Sequence, residues 1–390
     1  MDVTLAPALA SAFPVSVKAA RVDVLESWSE VERLAPEWNA LLRESDADSI
    51  FLTWEWIRSW ADALGQEIRP LTVCVRDARG TLAGIAPLYR AKIRLCRTVP
   101  YRVLRVMGDF PTGADYPDWI IRRDSDASTT ATIVDALRAR GGWDCIWMSN
   151  MAGWTGSVDR IVAASRARSL HCHTRPRDFA CFALPSSKDS YFGSLSKNKK
   201  QQLRAEMKRI KERPEIEIVR CDATAQLPAF LAALFDLHHR RWSGKGEAGA
   251  FQEQPLEEAF YRRFTLTALR QGWLRLYGLL DGGNFKAVQI GYVYNGVFNQ
   301  LQEGFDPDYQ KGVGNVLRAR LIEDCIAEGV HTYDFLGGMS EHKRRWLGQE
   351  RTGYDLLIGR RTLKNVPLFR GFWPSCRFMH QTSPDTSRRQ

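Results

Sequence analysis

The sequence predicts a mixed α/β fold made of two similar units in tandem. The chain has 390 residues, which is long for one ordinary domain and sufficient for two. From Trp54 to Tyr89 the pattern gives a helix, a glycine, a strand, an Asp/Gly turn and a second strand, and from Phe260 to Tyr294 the same order returns. A period near half of the chain indicates a duplicated domain. We therefore expect each unit to contain a mixed, mostly antiparallel sheet flanked by helices.

Composition suggests where these units begin and end. Residues 1–20 are Ala-rich and only mildly apolar, so we expect them to be poorly ordered. The first unit is predicted to cover residues 21–180, the second residues 181–370, and a flexible tail residues 371–390. Ala8–Ala10 mimics a cleavage site, but no basic segment precedes it, and no run of about 18 apolar residues occurs in the chain. We therefore predict a cytoplasmic protein without a transmembrane helix.

The elements of the first unit follow from hydrophobic periodicity. Val22 to Leu25 predicts a strand, and apolar residues at helical spacing from Val31 to Leu42 predict a helix. A second helix runs from Phe51 to Gly65, with aromatic side chains that we assign to the core. Two strands, Leu71 to Val75 and Ala83 to Tyr89, are separated by a turn. Three more strand-like runs follow, at 101–108, 117–122 and 143–149, and a helix is predicted at 128–140.

The second unit contains a strand, a glycine turn, a helix and a strand in succession. Phe298 to Gly304 predicts the first strand, and Gly312 and Gly314 follow it. Apolar residues at helical spacing then run from Val316 to Ile326, before a strand from His331 to Leu336. A glycine turn that opens a helix presents unpaired N–H groups beside the positive end of the helix dipole. This turn is therefore a candidate anion site, although an ordinary βα turn would use the same glycines for geometry alone.

Charge and cysteine usage narrow the class of protein. The formal net charge of +10 favours anionic partners such as CoA, nucleotide-sugars, RNA or a membrane surface, without choosing among them. Eight cysteines occur without a Cys-x-x-Cys pair, which fits a reducing compartment better than a disulfide framework. His171–His173 has the wrong spacing for a zinc knuckle, so we predict no metal site.

Two motifs in the second unit resemble the GNAT acyltransferase superfamily. In that superfamily a Gln/Arg-x-x-Gly-x-Gly/Ala loop holds the CoA pyrophosphate, and Tyr309–Gly314 matches it with tyrosine at the first position. The segment Tyr333–Trp346 is similar to the ending of a CelD-type branch linked to bacterial cellulose and exopolysaccharide synthesis, and Phe51–Tyr89 resembles its N-terminal part. The layout is also similar to that of the FemABX peptidoglycan transferases.

The resemblance implies two tandem GNAT-like domains and an acyl-CoA donor, with acetyl-CoA favoured. The acceptor it implies is an amino group of a sugar nucleotide, a glycan precursor or a lipid-linked intermediate in envelope polysaccharide synthesis. Residues 107–118 of the first unit carry no helix-opening Gly-x-Gly, so we expect the first unit to lack a donor site and to shape the acceptor site. The expected donor-binding residues are Lys311, Gly312, Val313, Gly314 and Asn315.

The candidate catalytic residues surround the last predicted strand. The chain contains no Gly-x-Ser-x-Gly elbow and no Cys/His nucleophile arrangement, so direct transfer without a covalent enzyme intermediate is favoured. Glu303, before the glycine turn, is the first candidate base, and the alternative is a surface carboxylate that stabilises a turn. Asp334 lies between apolar neighbours, so it is either buried with a basic partner or part of a site. Lys343 matches the family lysine, and its alternative role is a structural partner of Asp334.

The most basic stretch predicts a helix between the two units. Ser196 is a plausible N-cap, and Pro214 ends the helix. Lys199 and Arg204 on this helix are candidates for contact with an acceptor phosphate or with RNA, against the alternative of a solvated basic face. Three further candidate substrate-binding residues follow the last predicted strand: Glu341, Arg344 and Trp346.

Two other function classes stay open at this point. One is a Fem-like enzyme that takes its donor from aminoacyl-tRNA, which the net charge and the basic helix permit. Against it, Fem proteins often insert a helical arm, and no heptad repeat occurs here. The other is a non-catalytic scaffold that keeps the fold and has lost donor binding, for which Tyr309 is the sequence feature in favour.

Overall fold

The computed structural model describes residues 21–65, 68–95, 99–243, 251, 255–369 and 379–381. One continuous sheet runs through both halves of the chain. Its strands are β1 (Arg21–Leu25), β2 (Arg69–Arg76), β3 (Leu82–Leu95), β4 (Val99–Val106), β5 (Ile120–Ile121), β6 (Cys145–Met151), β7 (His171–Ala183), β8 (Ile216–Arg220), β9 (Leu274–Asp281), β10 (Asn284–Tyr294), β11 (Val297–Phe305), β12 (Thr332–Gly337), β13 (Gln349–Gly359) and β14 (Met379–Gln381).

Helices cover the faces of this sheet. They are α1 (Trp28–Val31), α2 (Ala35–Arg43), α3 (Trp54–Leu64), α4 (Asp126–Arg140), α5 (Ser157–Ala167), α6 (Lys188–Ser194), α7 (Lys197–Lys211), α8 (Leu227–Ser243), α9 (Pro255–Arg270), α10 (Val313–Ala327) and α11 (Glu341–Arg345). None of the helices in the described ranges is long and apolar enough to cross a membrane.

The strand order is nearly symmetric about the middle of the sheet. The first half contributes β1-β2-β3-β4-β6 from one edge, and the second half contributes β8-β9-β10-β11-β12 from the other. The connection from β4 to β6 is parallel, and so is the connection from β11 to β12, whereas the neighbouring pairs are antiparallel. A mixed, mostly antiparallel arrangement flanked by helices is therefore confirmed, and the two halves share one strand order.

The two halves exchange strands at the centre. β13, from the end of the second half, pairs with β6 of the first half and with β7. β7, which ends the first half, pairs in turn with β12 of the second half. Each half therefore completes the sheet of the other.

The repeated helix, glycine, strand, turn and strand are present in both halves. In the first half α3 ends at Gly65, whose φ of 79° is a left-handed conformation that favours glycine, and β2 and β3 follow. In the second half α9 is followed by Gly272, with a φ of 74°, and then by β9 and β10. The predicted helix at 128–140 is α4, and the predicted strand at 117–122 is shortened to the two residues of β5.

The aromatic residues of α3 form part of the core, as predicted. Trp56 is fully buried, and its ring centroid lies 4.7 Å from that of Phe260 and 4.6 Å from that of Phe264 on α9. Its indole N–H donates to the carbonyl of Gly108 at 3.1 Å. The two equivalent helices therefore pack against each other and fix the two halves in one rigid unit.

The predicted termini lie mostly outside the described residues. This applies to residues 1–20 and, within the predicted tail, to residues 371–378 and 382–390. Met379–Gln381 of that tail form β14, which pairs with β3.

A gap opens between β11 and β12. Their parallel ladder covers only Val297–Asn299 against Thr332–Asp334, and both strands continue beyond it. β12 then turns toward β7, with which it pairs as far as Gly337. This gap positions the candidate site.

Candidate functional site

The predicted glycine turn is present and opens α10. Gly312 is the N-cap residue, and its φ of 97° favours glycine. The N–H groups of Asn315 and Val316 donate to the Gly312 carbonyl at 2.9 and 3.1 Å. Within the described residues, the N–H groups of Val313 and Gly314 have no acceptor, as expected for the first turn of a helix. Two backbone donors therefore face outward at the positive end of the helix dipole.

A carboxylate of the protein lies against one side of this turn. Glu206 of α7 leaves no room for a Cβ on Gly312, because its carboxyl group fills that space. The Asn315 side-chain amide donates to both Glu206 oxygens, at 3.2 and 3.1 Å, and the Gln202 amide donates at 2.9 Å. On the other side, the Cβ position of Gly314 has only Phe305, at 3.8 Å, within contact distance.

The turn has open backbone donors on the Gly314 side and a carboxylate of the protein on the Gly312 side. Open backbone donors at a helix N-terminus suit a phosphate group, and Gly314 permits close approach. Lys311 is exposed beside the turn and adds positive charge. The residues therefore fit a CoA pyrophosphate, with Glu206 as a negative charge at its edge.

Lys199 lies at this turn and not on the solvated face of α7. Its ammonium group donates to the Asn315 side-chain oxygen at 3.2 Å and lies 4.1 Å from the centroid of the Trp346 ring. Burial lowers the pKa of Lys199 to about 8. Arg204, predicted to share its role, is exposed on the outer face of the helix. The two predicted acceptor contacts therefore lie in different environments.

The other predicted substrate residues are divided between core and surface. Trp346 is fully buried, with its ring between Lys199 and Arg318, whose guanidinium carbon is 5.5 Å from the ring centroid. Glu341 and Arg344 are exposed in surface ion pairs, with Arg345 at 3.3 Å and Glu350 at 3.5 Å respectively.

Tyr309, at the first position of the loop motif, points away from the turn. Its hydroxyl donates to Asp281 on β9 at 2.7 Å and accepts from Arg213 at 3.1 Å. Its side chain therefore joins the segment just after α7 and strand β9 to the loop, and it takes no part in the glycine turn.

Glu303 is held by two guanidinium groups. It pairs with Arg241 at 3.0 Å and with Arg318, which is buried and also donates to His342 at 2.5 Å. Burial opposes ionisation of Glu303, but the charges of Arg318 and Arg241 outweigh it and hold the pKa at about 2. A carboxylate with so low a pKa is a weak base at neutral pH. Its assignment as general base stays a prediction, and its contacts favour an anchoring role.

Asp334 is buried and contacts no basic side chain by hydrogen bond among the described residues. It accepts from the hydroxyl of Tyr116 at 2.9 and 3.1 Å and from the N–H of Leu336 at 2.8 Å. Burial raises its pKa to about 6. Lys343 instead donates to main-chain carbonyls, those of Phe335, Leu336, Gly337 and Gly338, at 3.0, 3.3, 2.6 and 2.6 Å. It thereby fixes the end of β12.

The first half reaches this gap through the loop at 111–118. Asp115 accepts from the N–H of Gly337 at 2.7 Å, and Tyr116, with a φ of 61°, carries the hydroxyl that binds Asp334. Burial raises the pKa of Asp115 to about 7. The loop therefore places residues of the first half over the end of β12, and the expectation that the first unit shapes the acceptor site stays a prediction.

Known protein families match the region that contains this site. Residues 197–344 match the family model described as acetyltransferase (GNAT) domain. The matched range begins at α7 and ends in α11, so the glycine turn, Glu303 and Asp334 all fall within it. This region, which is less than half of the chain, is similar to GNAT acetyltransferase domains.

Solved structures agree with that assignment at the level of the fold. The crystal structure of FemX has 10% identity and a TM-score of 0.59, over 82% of this chain and 95% of that one. The C-terminal domain of a protein described as a lysylphosphatidylglycerol synthetase from Agrobacterium fabrum has 10% identity and a TM-score of 0.51, over 88% of this chain and 96% of that one. No curated protein sequence matches the chain at a significant level.

The region matched by the family model also contains a buried polar pocket that sequence reasoning missed. Glu257 and Tyr261 lie one helical turn apart on α9, and Gln302 faces them from β11. Gly113 of the first half covers them, and the point where its Cβ would stand is 3.7 Å from a Glu257 oxygen, 3.7 Å from the Tyr261 hydroxyl and 3.8 Å from the Gln302 amide nitrogen. The available signal was a glutamate on the apolar face of a helix, three residues before Phe260.

No metal centre is built from the described residues. No group of three or more His, Cys, Asp or Glu side chains in these ranges is placed to hold an ion.

Proposed function

We propose that this protein transfers an acyl group directly from a CoA thioester to an amino group, in the gap between β11 and β12. The observation that carries the proposal is the open first turn of α10, with the unpaired N–H groups of Val313 and Gly314, at the end of the strand that borders the gap. The match to a GNAT domain over the same residues supports it.

The donor is an acyl-CoA, with acetyl-CoA favoured. The N–H groups of Val313 and Gly314 bind its pyrophosphate, and Lys311 adds charge, because anions are stabilised at a helix N-terminus. The thioester supplies an activated acyl carbon and a thiolate leaving group. Glu303 holds Arg318 and Arg241 in place between the turn and the gap.

The proton path runs through the side chains at the end of β12. Asp334 orients the Tyr116 hydroxyl, which is the buried phenol nearest to it in the gap, and Lys343 fixes the main chain that follows. With a pKa of about 6, Asp334 is ionised at neutral pH and keeps that hydroxyl as a donor. Direct transfer needs a positioned base and an oriented proton donor, and no covalent enzyme intermediate.

The acceptor is an amino group on a sugar nucleotide, a glycan precursor or a lipid-linked intermediate in envelope polysaccharide synthesis, in the cytoplasm. The similarity of Tyr333–Trp346 to the CelD-type ending supports this class. The net charge of +10 supports an acceptor that carries phosphate.

Mass spectrometry of the purified protein under native conditions tests the donor. The expected result is a non-covalent CoA thioester that co-purifies, or that binds when acetyl-CoA is added, and leaves with denaturation. A protein that carries no CoA species and gives no heat on titration with acetyl-CoA would overturn the proposal.

An aminoacyl-tRNA donor is the second candidate. Glu206 beside the turn disfavours a second anion there, and the outer face of α7 is basic and exposed, with Arg204, Lys208 and Lys211. A tRNA would contact that face through its phosphates and would make binding strongly salt-dependent. Loss of activity after ribonuclease treatment would select this candidate over acyl-CoA.

A further inference from the structure

The pocket beneath Gly113 holds a carboxyl group without a partner. Glu257 is 4% exposed, and among the described residues it takes part in no hydrogen bond and no ion pair. Burial alone raises its pKa to about 8, because no neighbouring charge compensates it. The Tyr261 hydroxyl, also fully buried, has no hydrogen-bond partner there either. Two polar groups one helical turn apart are therefore both unsatisfied.

Such groups are costly, so their presence requires an explanation. An unpaired buried polar group costs about 1–3 kcal/mol, and more when it is charged. Most buried polar groups in proteins are paired, and exceptions are explained by a bound water, a ligand or a functional role. Burial of Glu257 costs more free energy than burial of Tyr261, because the carboxyl group has to be kept neutral at moderate pH.

The pocket is open to a ligand at one point. Gly113 is exposed although its neighbours Pro111, Thr112 and Asp115 are buried. Its missing side chain leaves the space that the polar atoms of Glu257, Tyr261 and Gln302 surround at 3.7 to 3.8 Å. A ligand group that enters at Gly113 therefore meets a carboxylate, a phenol and an amide.

The chemistry of the pocket selects a primary amine. A carboxylate accepts hydrogen bonds and attracts a cation, and a phenol accepts as well as donates. An ammonium group carries three donors and a positive charge, which would satisfy Glu257 and Tyr261 together. An anion would be repelled by the ionised form of Glu257, whereas a cation stabilises that form.

We propose that this pocket binds the amino group of the acyl acceptor, and that Glu257 removes a proton from its ammonium form. The inference rests on the proposed acyl transfer. The ammonium nitrogen gives one proton to the Glu257 carboxylate, and the free amine attacks the thioester carbonyl. The C–N bond forms, the C–S bond breaks, and the departing thiolate receives the second proton lost by the nitrogen.

The loop of the first half connects this pocket to the gap. Gly113 lies over Glu257, and two residues later Asp115 accepts from the N–H of Gly337 at the end of β12. Gln302 lies on β11 beyond the point where the ladder with β12 ends. The pocket therefore borders the gap in which the acyl group is proposed to lie.

A titration of the Glu257 carboxyl group tests the pocket without any donor. Protein labelled with ¹³C at glutamate Cδ is titrated by NMR with and without methylammonium, and Glu257→Gln assigns the resonance. We expect methylammonium to lower the apparent pKa of Glu257 by at least one unit, and tetramethylammonium, which has the same charge and no N–H, to leave it unchanged. Equal effects of both ions, or no effect of either, would show that the pocket holds a structural water only and would overturn the inference.

Matched variants complete the test. Glu257→Gln should weaken methylammonium binding at least tenfold. Glu258→Gln is the control, since Glu258 points to solvent and pairs with Arg262 at 3.5 Å, and it should change binding by less than twofold. Failure to bind acetyl-CoA with a normal methylammonium response would overturn the proposed donor and leave the amine pocket intact.

Discussion

Two buried glutamates of the second half, Glu206 and Glu257, have opposite surroundings. Glu206 at the donor turn is 5% exposed and accepts hydrogen bonds from Gln202 and Asn315, whereas Glu257 in the pocket is 4% exposed and accepts none. Although the two side chains are equally buried, hydrogen bonds stabilise Glu206, whereas Glu257 lacks such bonds and is destabilised. The Gly312 side of the turn is therefore filled by a carboxylate of the protein itself, whereas the carboxyl group in the pocket has no partner among the described residues.

The largest effect that this contrast predicts is on turnover. Glu257→Gln should lower kcat by about 10²- to 10⁴-fold, the usual contribution of a general base. It should also remove the limb of the kcat/KM profile near pH 8, where Glu257 loses its proton in the free enzyme. A pH–rate profile of the wild type and the variant checks both. Loss of kcat with an unchanged pH profile would indicate a structural role for Glu257.

The second largest effect should be a loss of affinity for CoA when Gly314, on the open side of the turn, is replaced. Gly314→Val places a branched side chain where the pyrophosphate is proposed to lie, while Phe305 at 3.8 Å leaves room for it within the fold. We expect more than a tenfold loss in CoA affinity, or about 1.4 kcal/mol, by calorimetric titration. Tyr309→Phe is the control and should change affinity by less than twofold, since its hydroxyl binds Asp281 and not the turn. Equal affinities of wild type and the Gly314 variant would refute the donor site.

Removing the charge of Glu206, on the Gly312 side of the turn, should increase the affinity for CoA. Glu206→Gln removes a negative charge beside the pyrophosphate and keeps the shape of the side chain. CoA should then bind roughly fivefold tighter, or about 1 kcal/mol, in line with charge effects at helix termini. Glu212→Gln near the end of the same helix, where Glu212 is exposed and 3.6 Å from Lys208, should leave the affinity unchanged. An unchanged or lower affinity in the Glu206 variant would mean that the carboxylate does not compete with the donor.

The smallest effect expected is on stability. The pKa of Glu257 is about 8 when folded and near its usual 4.5 when unfolded, so between these values the folded state holds a proton that the unfolded state has lost. The free energy of unfolding contributed by this group therefore falls as the pH rises through that window. Glu257→Gln should raise the melting temperature by about 2 °C at pH 9 and by less at pH 6. Thermal unfolding at both pH values checks this, and an equal shift at both would contradict the raised pKa.

Local patterns were sufficient for the elements and the glycine turn. The helix–glycine–strand repeat and the run from Phe298 to Leu336 depend on spacing within short windows, and the structure contains each of these elements. The apolar neighbours of Asp334 along one strand predicted that it is either buried with a basic partner or part of a site. The structure buries it, and its hydrogen bonds among the described residues come from Tyr116 and the N–H of Leu336. Periodicity reports which face of an element is buried, and it does so without knowledge of the fold.

The sequence alone could not predict which distant side chains contact each other. Glu206 meets Asn315, and Tyr116 meets Asp334, across more than a hundred residues of chain, so no local pattern records either contact. Lys199 and Arg204 were predicted to share one role in substrate contact, and only the packing of α7 on α10 shows that Lys199 is buried while Arg204 is exposed. Glu257 was missed because a charge among aromatic residues was not weighed as a ligand group.

The exchanged strand β13 has a consequence for how the protein is made. During synthesis the first half emerges first, but the position between β6 and β7 is filled only by residues 349–359, near the end of the chain. Until then the nascent first half exposes an unpaired edge on β6, and β7 has no neighbour, because its partners β12 and β13 are still to be translated. Open edges recruit other strands, so this is the period in which a ribosome-bound chain most needs a chaperone.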